Sequence, residues 1–335
     1  MDELHPVKRA NAEKRSGARI RKALTRADLQ NGRQSGNHRE AYEMRKILSL
    51  LTAAAVLLSA AGCVGEAEME EKVPEEYFEE LPSSGSQVEE ITYISRDYCS
   101  NKDREVEKRA LVYLPAGYSE DTPCDVLILC HGMGGTETEW GFAGRNLKGR
   151  NLADHLFAEG AVRNLIIVMP NGRSTWNFAD TSRNSSRAFY AFGPEIRNDL
   201  IPYIDEHYST YADREHRAIA GLSIGAMQAV NIGLCECLDL FSAFGVFSAP
   251  VTTLNSAKIT EKLKEFPADC TVRCLYCVCG KGDDALDTAS AVLNPLPADS
   301  RLTEENCIWQ VCPGYHNFNV WYLGLYNFLK ILGSL

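Results

Sequence analysis

Short apolar runs recur along the chain from residue 110 to the C-terminus. Each is rich in Val, Ile, Leu or Cys, and together they cover residues 110–115, 125–131, 164–170, 217–221, 242–249, 271–280 and 306–314. Continuous apolar runs of this length are typical of parallel strands that are buried on both faces. The pattern therefore predicts a series of buried strands.

Helical patterns alternate with these runs. Apolar residues recur at spacings of three and four in residues 151–160 and 194–208, and a last apolar segment covers residues 320–332. Such spacings are typical of helices that bury one face. The alternation predicts one α/β domain over residues 91–335, with a mostly parallel central sheet and helices on both of its faces.

A different apolar pattern precedes this domain. Residues 47–61 are apolar, follow a basic pair at 45–46 and end in Ala-Ala, and Gly62 and Cys63 come next. A run of 15 residues is too short to span a bilayer, which takes about 20, and this order of residues is typical of a signal peptide. The cysteine resembles that of a bacterial lipobox. We predict a lipoprotein signal peptide at residues 44–62 and lipidation at Cys63, or plain secretion if Cys63 is incidental.

Charge divides the chain at the same places. The net charge of −10 consists of +6 over residues 1–62, −9 over 63–90 and −7 over 91–335. Residues 1–43 are interpreted as a basic extension, or as untranslated sequence if translation begins at Met44. The acidic residues 63–90 are expected to form a flexible tether, because like charges keep a chain extended. The negative net charge also argues against a nucleic-acid partner bound through its phosphates.

The cysteines allow more than one interpretation. Twelve are present, and Cys63 leaves eleven, an odd number that cannot all pair within one chain. Cys274, Cys277 and Cys279 lie on one predicted strand close to Cys270, but alternate side chains of a strand point to opposite faces. They therefore do not converge on one tetrahedral metal site. We predict buried, small apolar side chains and no metal, with one or two disulfides, or a zinc site, as the alternatives.

A G-x-S-x-G string at residues 221–225 stands between a predicted strand and a helical stretch. Such a turn lifts a serine hydroxyl to the end of the sheet, which predicts Ser223 as a nucleophile; the alternative is a tight turn with an idle serine. A second glycine-rich segment, His-Gly-Met-Gly-Gly at residues 131–135, also follows a predicted strand. The backbone N–H groups of Met133 and Ile224 are predicted to stabilise an oxyanion, and His131 is predicted to be architectural.

The general base and the acid follow the last two predicted strands. His316 is the one histidine on a loop in a suitable position, so it is predicted to take the proton of Ser223; the alternative is a capped surface histidine. The acid that orients it is predicted to be Asp283, with its neighbour Asp284 as the rival. The chain order Ser, Asp, His is that of α/β-hydrolases.

Several of these segments resemble an esterase family of the α/β-hydrolases. The family contains the feruloyl esterase domains of bacterial xylan-degrading enzymes, esterase D type S-formylglutathione hydrolases and mycolyltransferases. The resemblance spans residues 91–335 in the family's order and is carried by residues 131–135, 170–173, 195–204, 217–225, 280–283 and 314–321. It implies an α/β-hydrolase fold and serine esterase chemistry without a cofactor.

The resemblance is strongest to the feruloyl esterase branch. With the signal peptide, it implies an extracytoplasmic, lipid-anchored esterase that removes feruloyl or acetyl groups from plant cell-wall polysaccharide. Its expected partners are an acylated polysaccharide or oligosaccharide and, through the lipid anchor alone, a bacterial membrane. Two alternatives are an acyltransferase on the same triad and a non-catalytic glycan-binding lipoprotein.

Overall fold

The computed structural model describes residues 69–335, which contain a single eight-stranded sheet. The predicted extension (1–43), signal peptide (44–62) and lipidation site (Cys63) lie outside the described residues. The strands are β1 (Gln87–Asp97), β2 (Asn101–Leu114), β3 (Asp125–Cys130), β4 (Leu165–Pro170), β5 (Arg217–Leu222), β6 (Ala243–Phe247), β7 (Cys274–Gly280) and β8 (Cys307–Cys312).

The sheet has the strand order β1-β2-β4-β3-β5-β6-β7-β8. β1 pairs with β2, and β2 with β4, in antiparallel fashion, whereas every pair from β4 to β8 is parallel. The carboxyl ends of the parallel strands therefore meet at one edge, where α/β sheets place their ligands. This confirms the predicted mostly parallel α/β architecture.

Helices cover both faces of the sheet. They are α1 (Lys148–Ala158), α2 (Phe192–Glu195, continuing through Ile196–Leu200 and Ile201–His207), α3 (Ile224–Met227, continuing through Gln228–Leu234), α4 (Ser256–Leu263), α5 (Leu286–Ser290) and α6 (Phe318–Ser334). Apolar residues of α2, α3 and α4 pack on one face, and those of α1 and α6 pack on the other. The helices predicted from apolar spacing are confirmed, while α4 and α5 are additional.

The antiparallel hairpin of β1 and β2 corrects the prediction, which recognised only the end of β2. Along β1, buried residues from Ile91 onward alternate with exposed ones, as expected for a strand with one face in water. The charged solvent face interrupts the apolar runs on which the prediction relied. The domain therefore begins before residue 91.

The predicted tether is also wrong over its described part. Residues Glu75–Phe78 form a 3-10 helix, and Val73 and Tyr77 are buried. The Tyr77 hydroxyl donates to Glu159 on the folded domain, and the Glu70 carbonyl accepts a hydrogen bond of 3.0 Å from Asn327 of α6. The few apolar side chains of this acidic segment are enough to dock it against α1 and α6, because the domain supplies the apolar surface that the segment lacks.

The cysteines of β7 divide between the two faces of the sheet. Cys274 packs in the core under α1 and α6, whereas Cys277 and Cys279 pack in the core under α2, α3 and α4. This confirms the alternation that argued against one convergent metal site. Among residues 69–335, the eleven cysteines are unpaired and nine of them are buried, as expected for small apolar side chains in a core.

Within the same described part, no helix is long and apolar enough to cross a membrane.

Candidate active site

Ser223 occupies a strained turn between β5 and α3. Its backbone has φ 52° and ψ −117°, a left-handed conformation that non-glycine residues rarely adopt. The turn is fixed by hydrogen bonds from the Ser223 N–H to the Phe247 carbonyl of β6 (2.9 Å) and from the Ala226 N–H to the Ser223 carbonyl (2.9 Å). The strain holds the hydroxyl at the carboxyl edge of the sheet, as a nucleophile elbow requires.

The two glycines of the elbow are required by the closeness of neighbouring backbone. A Cβ on Gly221 would lie 2.5 Å from the backbone of Gly225, and a Cβ on Gly225 would lie 2.7 Å from the carbonyl oxygen of Cys130 in β3. The first backbone belongs to α3 and the second to β3, so neither can move aside without displacing its element. The G-x-S-x-G pattern thus reflects the packing of β5, α3 and β3.

His316 connects Ser223 to Asp283. The imidazole Nε2 lies 3.0 Å from the Ser223 Oγ, and Nδ1 lies 3.1 and 3.0 Å from the two carboxylate oxygens of Asp283. The Asp283 side chain is 1% exposed and that of His316 is 40% exposed, so the acid is buried behind a base that solvent can reach. Asp284 is exposed and makes no such contact.

Glycine residues allow the loop that carries Asp283 and the loop that carries His316 to come close together. The Gly282 N–H donates to the Gly314 carbonyl at 2.8 Å. A Cβ on Gly280 would approach the carbonyl of Gly314 to 2.7 Å, and Gly314 itself has φ 144°. The loops after β7 and β8 can therefore pack backbone to backbone, which sets the distance between Asp283 and His316.

Two neighbouring groups hold Asp283 as a carboxylate. Burial alone would raise its pKa, but the hydrogen bonds from the Ala285 N–H (2.8 Å to Oδ1) and from His316 Nδ1 act against burial, and the pKa lies below its usual value. A carboxylate that accepts hydrogen bonds is stabilised in its charged form. Asp283 is therefore charged at neutral pH and can accept the Nδ1 proton of the imidazole.

The two predicted oxyanion donors lie beside one apolar cluster. Ile224 opens α3, where a backbone N–H has no acceptor within the helix. Met133 packs against the cluster formed by Phe189, Ile224 and Met227. Within residues 69–335, neither the Met133 nor the Ile224 N–H has a hydrogen-bond acceptor. Both donors are thus available to a ligand.

His131 is fully engaged as a neutral side chain. Its Nδ1 lies 2.7 Å from the Gly132 carbonyl, and its Nε2 accepts a hydrogen bond of 3.1 Å from the Gly172 N–H. One ring nitrogen must donate and the other accept, which only the neutral imidazole does. Burial lowers the pKa of His131 to about 3. This arrangement agrees with the predicted architectural role.

Sequence reasoning missed a buried ion pair next to the site. Lys108 of β2 and Glu195 of α2 are both fully buried, with Nζ 3.1 Å from Oε1. Glu195 also accepts hydrogen bonds from Tyr93 (2.6 Å) and Ser174 (2.5 Å). The one available signal was the position of Lys108 in the alternating pattern of β2, where a core-facing lysine requires a buried partner.

Residues 103–321 match the model of a family described as "Putative esterase". The match covers more than half of the chain and includes every predicted catalytic residue. The chain belongs to this family. This confirms the resemblance to the esterase family of α/β-hydrolases.

The esterase is similar to one part of a curated xylan-degrading protein. The endo-1,4-beta-xylanase/feruloyl esterase of Xylanibacter ruminicola is 34% identical over 145 residues, which are 42% of this chain and 19% of that protein. The chain therefore spans less than a fifth of the length of that relative.

Two solved structures share the fold of this esterase. A ferulic acid esterase of Anaeromyces mucronatus, in complex with ferulic acid, has a TM-score of 0.64 at 23% identity, covering 80% of this chain and 98% of that one. The feruloyl esterase module of Clostridium thermocellum, complexed with sinapinate, has a TM-score of 0.62 at 23% identity, covering 78% and 95%. These likenesses confirm the α/β-hydrolase fold.

Proposed function

We propose that this esterase is an extracytoplasmic serine carboxylesterase that hydrolyses feruloyl or acetyl esters on plant cell-wall polysaccharide. The observation that carries the chemical part is the position of His316, within hydrogen-bond distance of both Ser223 (3.0 Å) and Asp283 (3.0 Å). A nucleophile, a base and an orienting acid in this geometry are the parts of a catalytic triad.

The first half of the proposed reaction forms an acyl-enzyme. Ser223 Oγ attacks the ester carbonyl carbon while His316 Nε2 takes the hydroxyl proton, and Asp283 stabilises the imidazolium that results. The carbonyl oxygen becomes an oxyanion that accepts hydrogen bonds from the N–H groups of Met133 and Ile224. The imidazolium then protonates the leaving alcohol oxygen, and the bond between that oxygen and the carbonyl carbon breaks.

The second half returns the enzyme to its starting state. His316 takes a proton from a water molecule, whose oxygen attacks the acyl carbon, and the imidazolium then returns a proton to Ser223 Oγ as the carboxylic acid leaves. The exposure of the His316 side chain, 40%, gives water direct access to the base.

The substrate part of the proposal is supported by the relatives. The curated relative is named as a xylanase and feruloyl esterase, and the two solved structures are feruloyl esterases that hold ferulic acid or sinapinate. Tyr315, next to His316, is 67% exposed. An exposed aromatic ring beside the base is suited to contact a flat aromatic acyl group or a sugar ring.

A substrate panel tests the proposal. The full-length protein is assayed on methyl ferulate, acetylated xylan and p-nitrophenyl acetate, with Ser223→Ala as the matched control. We expect release of ferulate or acetate by the wild type alone. If p-nitrophenyl acetate is cleaved but neither ferulate nor acetate is released from methyl ferulate and acetylated xylan, the proposed cell-wall substrate is wrong and the esterase activity stands. If none of the three esters is cleaved, the proposed esterase activity is wrong.

The proposed location rests on the lipobox-like sequence that ends at Cys63. We expect Cys63→Ala to abolish incorporation of an alkyne-labelled fatty acid and to release the protein from the membrane fraction or leave it unprocessed. Cys99→Ala, which alters a partly exposed cysteine of the folded domain, is the control and should behave like the wild type. A cleaved Cys63→Ala protein that still sediments with membranes would contradict the anchor.

A further inference from the structure

Arg173 connects the loop after β4 to the glycine-rich loop that carries Met133. Its side chain is buried, and Nη1 donates to the Gly135 carbonyl at 2.8 Å while Nη2 donates to the Met133 carbonyl. Its Nε donates to Ser185 Oγ at 3.1 Å. The guanidinium thus directs two of its donors to carbonyls on either side of Gly134.

Met133 is held from both sides by these contacts. The peptide that contains the Met133 N–H also contains the Gly132 carbonyl, which lies 2.7 Å from His131 Nδ1. The next peptide contains the Met133 carbonyl, which Arg173 holds. With both flanking peptides fixed, the direction of the Met133 N–H is fixed as well. The loop needs such bonds, because glycines leave its backbone free to adopt many conformations.

The guanidinium also contacts a neighbour of Ile224, the second predicted oxyanion donor. It lies over the ring of Phe189, with 4.7 Å between Cζ and the ring centroid. Phe189 packs in the same cluster as Ile224, whose N–H is the second predicted donor. Arg173 is therefore in contact with the Met133 loop and with a direct neighbour of Ile224.

The backbone of Arg173 is anchored separately. Lys108 Nζ donates to the carbonyls of Asn171 (2.9 Å) and Arg173 (2.6 Å), and Glu195 holds the same ammonium group. The Arg173 side chain therefore extends from a backbone that is held in place. Lys108, Glu195 and Arg173 thus place three buried charged side chains next to the glycine-rich loop at residues 131–135. Burial of charge is costly, and apolar side chains would fill the same volume with a smaller penalty.

We propose that Arg173 is a positioning residue, which orients the Met133 N–H toward the oxyanion through its bond to the Met133 carbonyl. The inference rests on the proposed esterase function and deepens it. The planar guanidinium is suited to this task, because it presents several donors in one rigid plane and lysine does not. Its loss should weaken transition-state stabilisation and leave substrate binding in place.

Arg173→Met and Arg173→Lys test the role. We expect Arg173→Met to lower kcat on p-nitrophenyl acetate by about 10²-fold, the effect of losing one oxyanion donor, with KM changed less than about 3-fold. Arg173→Lys, which keeps the charge, should lose about 10-fold, because a lysine can reach one carbonyl but cannot fix the plane. The inhibition constant of an aryl trifluoromethyl ketone, which forms an oxyanion adduct with serine, should rise by the same factors.

Arg214 provides a matched control. It also binds backbone carbonyls, those of Leu238 (3.0 Å) and Phe241 (2.9 Å), but at the opposite edge of the sheet, before β6. Arg214→Met should lower the melting temperature and leave kcat per folded molecule and ketone inhibition unchanged. If Arg173→Met fails to fold, Arg173→Lys carries the same test.

The outcomes separate this inference from the proposed function. A wild type that cleaves no ester and takes up no fluorophosphonate overturns both. An active wild type with unchanged kcat in Arg173→Lys overturns the positioning role alone. So does a kcat loss without a matching rise in the ketone inhibition constant, or an equal kcat loss in Arg214→Met.

Discussion

Ser223→Ala is expected to lower kcat/KM for ester hydrolysis by at least about 10⁴-fold. The hydroxyl is the one group in the site that can form the acyl-enzyme, and its distance of 3.0 Å from His316 Nε2 allows direct proton transfer. Without it, water must attack the ester with no covalent step. Initial rates on p-nitrophenyl acetate, measured at equal folded concentration, give the size of the loss.

Substitutions within one catalytic unit have effects that do not add, because the loss of one member already removes the function of the unit. Ser223→Ala combined with His316→Ala should therefore lose little more than Ser223→Ala alone, although separate effects would multiply. Wild type, and the control variant Ser290→Ala outside the site, should be labelled once by a fluorophosphonate, whereas Ser223→Ala should not be labelled. Additive losses, or labelling that survives in Ser223→Ala, would contradict the triad.

Asp283→Asn is expected to lower kcat by about 10³–10⁴-fold, while Asp284→Asn should change it less than about 3-fold. The Asp283 carboxylate is buried and lies 3.0 Å from His316 Nδ1. An amide there can donate to Nδ1, which turns the ring to the tautomer with a proton on Nε2 and removes the acceptor for the Ser223 proton. Asp284 is exposed, so its charge is screened by solvent.

The pH profile provides a second measurement on the same pair. The pKa of Asp283 is held below its usual value, so its carboxylate stays charged as the pH falls toward 4. In a profile of kcat/KM against pH, protonation of this carboxylate should therefore not limit activity above about pH 4. If Asp284→Asn lowers kcat more than Asp283→Asn does, the acid is Asp284.

Ser223 and its surroundings are predictable from a short stretch of sequence. The elbow has strict local requirements: two glycines where other backbone comes within 3 Å of a Cβ, a strand before and a helix after. Requirements of this kind leave a compact pattern at residues 221–225. His316 is predictable for a related reason, since few histidines of this chain stand on a loop directly after a predicted strand.

The sequence by itself determined the fold class, the parallel strands of the sheet and the three segments that meet at the candidate site, because continuous apolar runs and glycine patterns are local. Only the tertiary structure shows that Asp283, and not Asp284, lies against His316. The two are adjacent on one loop, and the choice depends on how the Gly280 and Gly314 backbones pack.

Long-range pairing decided the remaining features. The hairpin of β1 and β2 presents one face to water, so charged residues interrupt the apolar pattern that would predict its strands. The acidic segment at residues 69–80 is ordered by packing against α1 and α6. Glu195 and Arg173 look like ordinary charged residues in the sequence, and Lys108 differs only by its core-facing position in β2. Their partners lie 87 residues away for the Lys108–Glu195 pair and 40 for the Arg173–Met133 contact. No local pattern records such pairs, because burial and charge compensation arise only when the chain brings them together.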